Sequence, residues 1–512
     1  LVSVKLLEER EASQGSLPVG NISSNEITLA LNNESKKFDL DNENSPLKNL
    51  LKPNRRIQAW LGAEAENAAA ENPPTFTRNS VAYLSDGTQV ADNQPRFEPG
   101  KFGKAIMVEE GTENLITTQN MTQSPWYKGA STIIEYGIEQ DNRIWNRFYV
   151  PIGSGTFVQH PITITLNQSY SFSLLVKNPF SYEQVINVGF AIALGITPTT
   201  GIKNITLPAH ALMRIETTIT APETTTYYAT IDNVKNTNEV DILVSEIQVE
   251  AKPYPTSFID GTRSRETLTI PTAGVLNPQE GTIGFWVKLS AWVDNVSDNC
   301  LWSLNGSTRF DLWFSKTIDY SLGVYDGTAW LNSGVAGSSF VDSWHYIVYT
   351  WGTFGQKIYV DGVLKASTTR LISSAHIGSL LYIGSYRGNY QADSLIDDLR
   401  ISSRARSDAE ILAAYQSGQP AQRDKDTTYL LTFNGSIYPV EQCWVPLGTF
   451  WSLDWDSPDD SLEATVTARD RMELLRKGTY QTSQVQQNKS LYELAEDVLQ
   501  DAGLNSSEYI ID

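Results

Sequence analysis

The sequence predicts a mainly β, modular chain that ends in an α+β segment. Its 512 residues exceed what one hydrophobic core normally supports, so about three to four domains are expected. Hydrophobic content of 40% with 19% charged residues is a globular composition, and 13 Trp, 23 Tyr, 17 Phe, 34 Gly and 22 Pro favour many strands joined by turns. In the clearest runs an apolar side chain returns at every second position, as a half-buried strand requires.

In residues 1–62, Glu26-Ile27-Thr28-Leu29-Ala30-Leu31 and Arg56-Ile57-Gln58-Ala59-Trp60-Leu61 carry that alternation. Residues 63–110 form a linker and decorating segment. It starts Ala/Glu/Asn-rich, passes Pro73-Pro74, and continues through the turn signals Ser85-Asp86-Gly87 and Glu98-Pro99-Gly100. Residues 111–254 read as all-β: Tyr170, Phe172, Leu174 and Val176 share one face, with serines 169, 171 and 173 on the other. Residues 255–418 form a second all-β unit around Gly281–Lys288 and Trp344–Trp351. The latter run is apolar on both faces, so it is expected to be covered on both sides.

A hairpin follows at Lys357–Val360 and Val363–Lys365, because Asp361-Gly362 tolerates the positive φ of a type I′ turn. A helix then closes the unit. Ser407 and Glu410 have capping-box spacing, Ile411, Leu412 and Tyr415 form its buried stripe, and Gly418 with Pro420 ends it. Residues 424–512 are α+β. There Ser490 and Glu493 cap a helix whose apolar face is Leu491, Leu494, Ala495, Val498, Leu499 and Ala502, before Gly503 ends it.

Charge and cysteine content narrow the partners. With 39 Lys+Arg against 59 Asp+Glu the net charge is −20, which repels polyphosphate and argues against nucleic acid. Cys300 and Cys443 are too few and too far apart for a disulfide framework or a thiolate zinc cluster. The longest apolar run, Val188–Ile196, is far short of a bilayer span, and the first ten residues lack a signal-peptide core. The expectation is no membrane insertion, with the outside reached by assembly or lysis. A first residue of Leu leaves room for a longer or processed chain.

Residues 255–418 resemble the laminin-G-like, concanavalin A-like jelly-roll family. The residues that carry the likeness are Gly281–Val287, Trp344-His345-Tyr346, Tyr359-Val360-Asp361-Gly362, Leu381-Tyr382-Ile383-Gly384 and Ile396–Ile401, in that family's order. Residues 111–254 are similar to carbohydrate-binding-module jelly rolls at Glu113–Ile116, Tyr170–Ser173 and Gln248-Val249-Glu250. The junction Gln248–Phe258 resembles the seam between such modules in prophage-encoded proteins. The flanks resemble phage baseplate-hub or tail-tip proteins at Ser45-Pro46-Leu47, Asn54–Ile57, Pro446–Phe450, Val466–Arg471 and Tyr509–Asp512.

This resemblance implies two β-sandwich jelly rolls inserted into a discontinuous α+β domain made of 1–62 and 424–512. Insertion at a strand-to-strand loop is tolerable when the guest brings its own core. The function it implies is that of a non-enzymatic tail-tip or baseplate protein of a virion or phage-like particle, made in the host cytoplasm. Its partners would be other tail proteins, copies of itself and a host-surface glycan. Two rivals stand beside it: a glycoside hydrolase acting on wall or capsular polysaccharide, and jelly rolls that serve as spacers or protein-docking modules. No cofactor is required; a structural calcium ion suits jelly rolls of these families, with no ligands named.

Catalytic motifs are scarce. His160, His210, His345 and His376 lie in separate contexts without metal-ligand spacing, and no nucleophile elbow, Walker loop or dinucleotide fingerprint occurs. His345 reads as a satisfied strand histidine. A hydrolase needs two carboxylates on one strand face. Glu239 and Asp241 share a face, whereas Glu246 would point away unless a bulge intervenes. Asp39–Glu43 lacks the glycine and bidentate Glu of an EF-hand and reads as a charged turn, and Asp454, Asp456, Asp459 and Asp460 read as a solvated acidic loop.

Sugar binding needs flat aromatic faces and planar polar groups on a rigid frame. The candidates in turn-rich places are Tyr325, Trp330, Tyr386, Arg387, Asn389 and Tyr390 in the second unit, and Trp126 and Tyr127 in the first. Trp286, Trp344 and Trp351 are assigned to the core.

Overall fold

The computed structural model describes residues 3–7, 25–39, 41–47, 50–61, 64–67, 72–152, 156–233, 239–292, 298–442, 445–457, 462–471, 473–474 and 489–504. Cys443, Asp459, Asp460 and Tyr509–Asp512 lie outside them. The chain divides into two units, Leu1–Glu64 with Gln442–Asp512, and Ala65–Glu441.

The first unit joins the two ends of the chain in one antiparallel sheet, in the order Ser3–Leu7, Glu26–Asn32, Glu463–Arg469, Val445–Asp456, Arg56–Leu61. Glu26 pairs in register with Arg469 and Leu61 with Val445. The alternation read at 26–31 and 56–61 buries Ile27 against Phe450 and Ala468, with Leu29, Ile57 and Ala59 around them. Arg469 closes one end by pairing with Glu26 at 2.8 Å and Glu473 at 3.0 Å. Helix Leu491–Asp501 has its expected capping box. Its apolar face is less covered than expected: Leu491 and Val498 are exposed, and no residue of the helix is buried among those described. Asp454 and Asp456 are exposed, and Asp39 and Asn42 accept backbone N–H groups of their own turn.

The second unit holds two β-sandwiches, in agreement with the fold class read from the sequence. In the first, the strands Tyr127–Lys128, Phe157–Ile164, Thr225–Asp232, Gln184–Ala191 and Thr200–Leu207 face Ile133–Gln140, Arg143–Val150, Val240–Glu250, Ser169–Lys177 and Leu212–Thr220. Tyr170, Phe172, Leu174 and Val176 point into the shared core with Phe148, Phe190 and Ile242.

In the second, a seven-stranded sheet runs Trp330–Ala336, Ser321–Tyr325, Phe310–Ser315, Asn299–Leu304, Leu380–Ile383, Thr267–Pro271, Thr75–Thr77. It packs on a sheet that runs Val363–Thr368, Gly355–Val360, His345–Gly352, Gly281–Leu289, Ser394–Ser402, Lys104–Val108, Phe97–Pro99. Strand Thr427–Leu431 adds to the edge of Ser394–Ser402. Residues 75–108, expected as linker and decoration, thus supply three strands to this roll. Residues 427–431, expected in the terminal domain, supply a fourth. The physical reason is burial: Phe76, Ile106, Tyr429, Leu431 and Phe433 all lie in the roll's core.

Strand His345–Gly352 is covered on both faces, as its composition predicts. Ile347, Tyr349 and Trp351 enter the main core, while Tyr346 and Val348 pack beneath helix Asp408–Ser417 with Ile411. The helix has its capping box and ends at Gly418, whose φ is 60°. Tyr415 stacks on Trp286 at 5.8 Å, but Leu412 stays 39% exposed, outside the stripe assigned to it. Trp344 is half-buried at the margin of this cluster. Asp361 and Gly362 take φ of 53° and 76°, as the two-residue turn requires. His345 bonds Asp361 at 2.7 Å and the Ser339 carbonyl at 2.9 Å, so both ring nitrogens are used.

A buried ionic lattice ties the seam between the rolls. Arg96 meets Glu109 and Glu266 at 2.7 Å each, Arg78 meets Glu266 at 2.8 Å, and Arg263 meets Glu109 at 3.2 Å. Glu250 accepts from Thr112, Thr256 and Gln248, and Thr256 in turn accepts from Arg263. Three guanidiniums and three carboxylates are removed from water together, which is tolerable because Arg78, Arg96, Arg263, Glu109 and Glu266 are ion-paired and Glu250 is hydrogen-bonded.

Candidate functional site

Strand Phe310–Ser315 alternates between the two faces of its sheet. Phe310, Leu312 and Phe314 enter the core, which sends Asp311 and Trp313 to the other face. The neighbouring strand buries Leu322 and Val324 and so presents Tyr325, whose ladder partner is Trp330. The turn between them is held by Asp326. Its Oδ1 accepts the N–H of Thr328 at 3.1 Å and of Ala329 at 2.9 Å, and its Oδ2 accepts Gln356 at 2.9 Å and Arg370 at 2.7 Å. Tyr325 and Trp330 sit 5.4 Å apart, centroid to centroid.

A second tight turn brings in the other rings. Tyr386 and Asn389 exchange backbone hydrogen bonds of 2.7 and 2.9 Å across Arg387 and Gly388, at φ of 50° and 81°. Ser303 fixes the turn by accepting the Arg387 N–H at 3.0 Å, and the Arg387 guanidinium donates to the carbonyls of Leu304 and Gly306 at 3.2 and 3.0 Å. Tyr386 and Tyr390 each lie 5.4 Å from Trp313. Asn389 accepts a hydrogen bond from Arg265. Beside Tyr390 opens a hollow of about 600 Å³ lined by Glu110, Gly111, Arg265, Asn389 and Gln391.

At the centre of these rings is Arg309, a residue the sequence reading did not select. Its Cζ is 4.9 Å from the ring centroid of Tyr325, 5.1 Å from Trp313, 5.3 Å from Trp330 and 5.5 Å from Tyr386, all within cation–π range. Its Nε donates to Asp311 Oδ2 at 2.7 Å. Asp311 is fully buried, and burial pushes its carboxyl up to about 6 against the opposing pull of Arg309. Trp313 forms the floor, whereas Tyr390 is 58% exposed and Tyr325, Trp330 and Tyr386 are half-buried. The result is a rigid surface of ring faces and one guanidinium on a sheet, suited to stacking on a pyranose and bonding its polar edge.

The eight residues expected to contact sugar therefore divide. Tyr325, Trp330, Tyr386, Arg387, Asn389 and Tyr390 come together on the second roll. Tyr127 lies on the first roll, exposed, at 6.4 Å from Tyr228. Trp126 corrects the expectation, because its ring is buried edge-on against His160 at 4.9 Å and its Nε1 donates to the Thr118 carbonyl at 2.8 Å. The missed members, Arg309, Asp311 and Trp313, had one sequence signal: Asp and Trp in alternation with core residues on a strand.

The carboxylates weighed for hydrolysis are held differently. A bulge at Glu246, with φ of 48°, turns it toward the face that carries Asp241, not away from it. There Arg143 and Arg214 take up Glu246 at 2.6 and 3.1 Å, and Arg147 grips Asp241 through two bonds of 2.8 and 2.7 Å. Glu239 meets the hydroxyls of Tyr182 and Tyr149 at 3.3 and 3.5 Å. Among the described residues no group of three or more His, Cys, Asp or Glu could hold a metal ion, and no helix is long and apolar enough to cross a membrane.

Comparison with curated proteins finds no match. Among solved structures, domain 4 of the GH43 extracellular arabinanase AbnA from Geobacillus stearothermophilus, in complex with arabinotriose, is 16% identical, covering 30% of this chain and 73% of that one at a TM-score of 0.25. The heptameric SAP-like pentraxin from Limulus polyphemus is 11% identical, covering 34% and 83% at a TM-score of 0.23. The tandem CBM22 domains of Xyn10C from Paenibacillus barcinonensis are 10% identical, covering 58% and 99%, also at 0.23. Residues 261–412, which include the whole ring surface around Arg309, match the Concanavalin A-like lectin/glucanases superfamily.

Proposed function

We propose that the second jelly roll binds saccharide through the rings around Arg309, and that the chain is a non-enzymatic tail-tip or baseplate component of a phage or phage-like particle that engages host-surface glycans. The observation that carries the saccharide reading is convergence: two turns far apart in sequence bring Tyr325, Trp330 and Tyr386 around one guanidinium, with Tyr390 beside them against Trp313. The match of residues 261–412 to a superfamily described by lectins and glucanases supports the same reading.

The particle reading draws on the hub-like motifs of the flanks and on their pairing in a single sheet, a base from which inserted modules can be displayed. Binding at an open ring surface is weak, on the order of millimolar per site, and becomes useful when several copies act together.

The test is a glycan array probed with the multimerised chain, alongside immunogold labelling of particles by negative-stain imaging. Specific array signals that fall with Trp330→Ala, and label at the tail tip, are expected. A blank array would assign the rolls to spacing or protein docking, release of reducing sugar would assign them to hydrolysis, and unlabelled particles would remove the tail assignment.

A further inference from the structure

Arg309 carries more hydrogen-bonding capacity than the protein uses. A guanidinium has five N–H donors. Among the described residues, one of these is taken, by Asp311 at 2.7 Å, and neither Nη has a partner. Both Nη atoms are reached by solvent, since neither is among the buried polar atoms left without a bond, and the side chain is 37% exposed. The surrounding rings stabilise the cation through their faces, and among the described residues none of them hydrogen-bonds to it. Asp311, fully buried, is out of a ligand's reach and engages Nε alone. Arg387 adds a second guanidinium, 5.5 Å from the Tyr386 centroid, with its Nη1 also unbonded. A chain of net charge −20 thus places two unsaturated cations at its ring surface.

We propose that this surface selects acidic saccharides, the paired Nη groups of Arg309 receiving a carboxylate or phosphate oxyanion while the sugar ring lies against the neighbouring aromatic faces. The inference rests on the saccharide reading above and names its substrate class. Planar, two-point bonding to an oxyanion is charge-assisted and uses both Nη groups, whereas a neutral hydroxyl uses them singly. The rings strengthen the pairing by keeping water away from one side of the guanidinium.

The experiment measures the multimerised full chain on matched pairs: oligogalacturonate against its methyl ester, sialyllactose against lactose, and poly(glycerol phosphate) teichoic acid against its free glycosyl substituent. The first two pairs report a carboxylate and the third a phosphate. At least about a tenfold preference for the acidic member of one pair is expected, declining with added NaCl. In Arg309→Gln and Arg309→Lys, with melting curves confirming the fold, the acidic-to-neutral ratio should fall toward one in the first and partway in the second, which keeps charge but loses the fork. Equal binding of both members, or a ratio unchanged in Arg309→Gln, would overturn this inference and leave saccharide binding standing. No binding to any member would remove both.

Discussion

Arg78 and Glu266, 188 positions apart in the sequence, form an ion pair at 2.8 Å with no exposure of either side chain. Glu266 also receives Arg96 through both oxygens, so one carboxylate holds two guanidiniums at the seam. Replacing Glu266 by Gln leaves them short of charge in a dry site. A loss of about 3 to 5 kcal/mol is expected, read as a lower midpoint in urea unfolding of the second unit. An unchanged midpoint would mean that the lattice is solvated.

The pH dependence of stability should run opposite to that of most acidic proteins over one interval. Burial pushes Asp397 up to about 6 and Asp398 up to about 7, well above the ~3.9 of an unfolded aspartate. A carboxyl raised in the folded state contributes stability in full below the unfolded value and loses it as pH rises through the folded one. The second unit should therefore be more stable at pH 5 than at pH 8. Glu109 and Glu410, held well below the usual range, weaken the fold only at lower pH. Asp398→Asn keeps an acceptor for the Ala421 N–H and suits the residue's φ of 53°. It should raise stability at pH 8 by about 1 to 3 kcal/mol and flatten the profile; thermal melts at the two pH values decide.

Two tryptophans should separate folding from binding. Trp126 is 8% exposed within the first roll's core, so Trp126→Ala should cost about 3 to 5 kcal/mol and leave array signals from the folded fraction intact. Trp330→Ala should shift the melting temperature little and remove most of the array signal. The reverse pattern would move the sugar surface to the first roll.

Acidity should also tune the ring surface. Asp311 faces Arg309 just ahead of its own strand, Cys300 and Ser303 on the next, Tyr325 on the other neighbour, and Arg387 from the turn beyond. Burial raises the Cys300 thiol, so it stays uncharged, and Asp311 is the group that titrates, near 6. Protonating it removes the counter-charge of Arg309. Binding of an acidic sugar should strengthen severalfold from pH 7.5 to pH 5.5, with no such trend for its neutral partner. Surface plasmon resonance across that range checks it.

Residues 65–441 contain both sandwich cores and the seam. Expressed alone, this fragment should unfold cooperatively and retain the array profile of the full chain. Aggregation on expression, with a lost melting transition, would show that the terminal sheet is needed for its folding.

Much of the fold is legible in the sequence because much of it is local. Both capping boxes, the Asp361-Gly362 turn and the two-sided strand 345–352 are written in neighbouring residues. The strands at 75–77 and 104–108 are short and pair with 267–269 and 394–396, far along the chain, so no local pattern assigns them to the second roll; 97–99 follows by pairing with 104–106, and 427–431 pairs with 399–402 across the intervening helix. The same holds at the site. Turn-borne aromatics such as Tyr325 and Tyr390 are conspicuous, whereas Arg309 acquires its role from four rings, three of them on other elements. Trp126 misleads for the converse reason: a Trp after a Ser-Pro step looks exposed until His160 and the Thr118 carbonyl close over it. The bulge at Glu246 reverses a face that strict alternation would assign.

Leu61 and Val445 are ladder partners, so the chain departs from the terminal sheet and rejoins it at adjoining points. A gap of that kind accepts any cassette whose own first and last residues emerge side by side, with no strand of the host displaced. Exchanging the segment between those two places would leave all five strands of the terminal sheet in place.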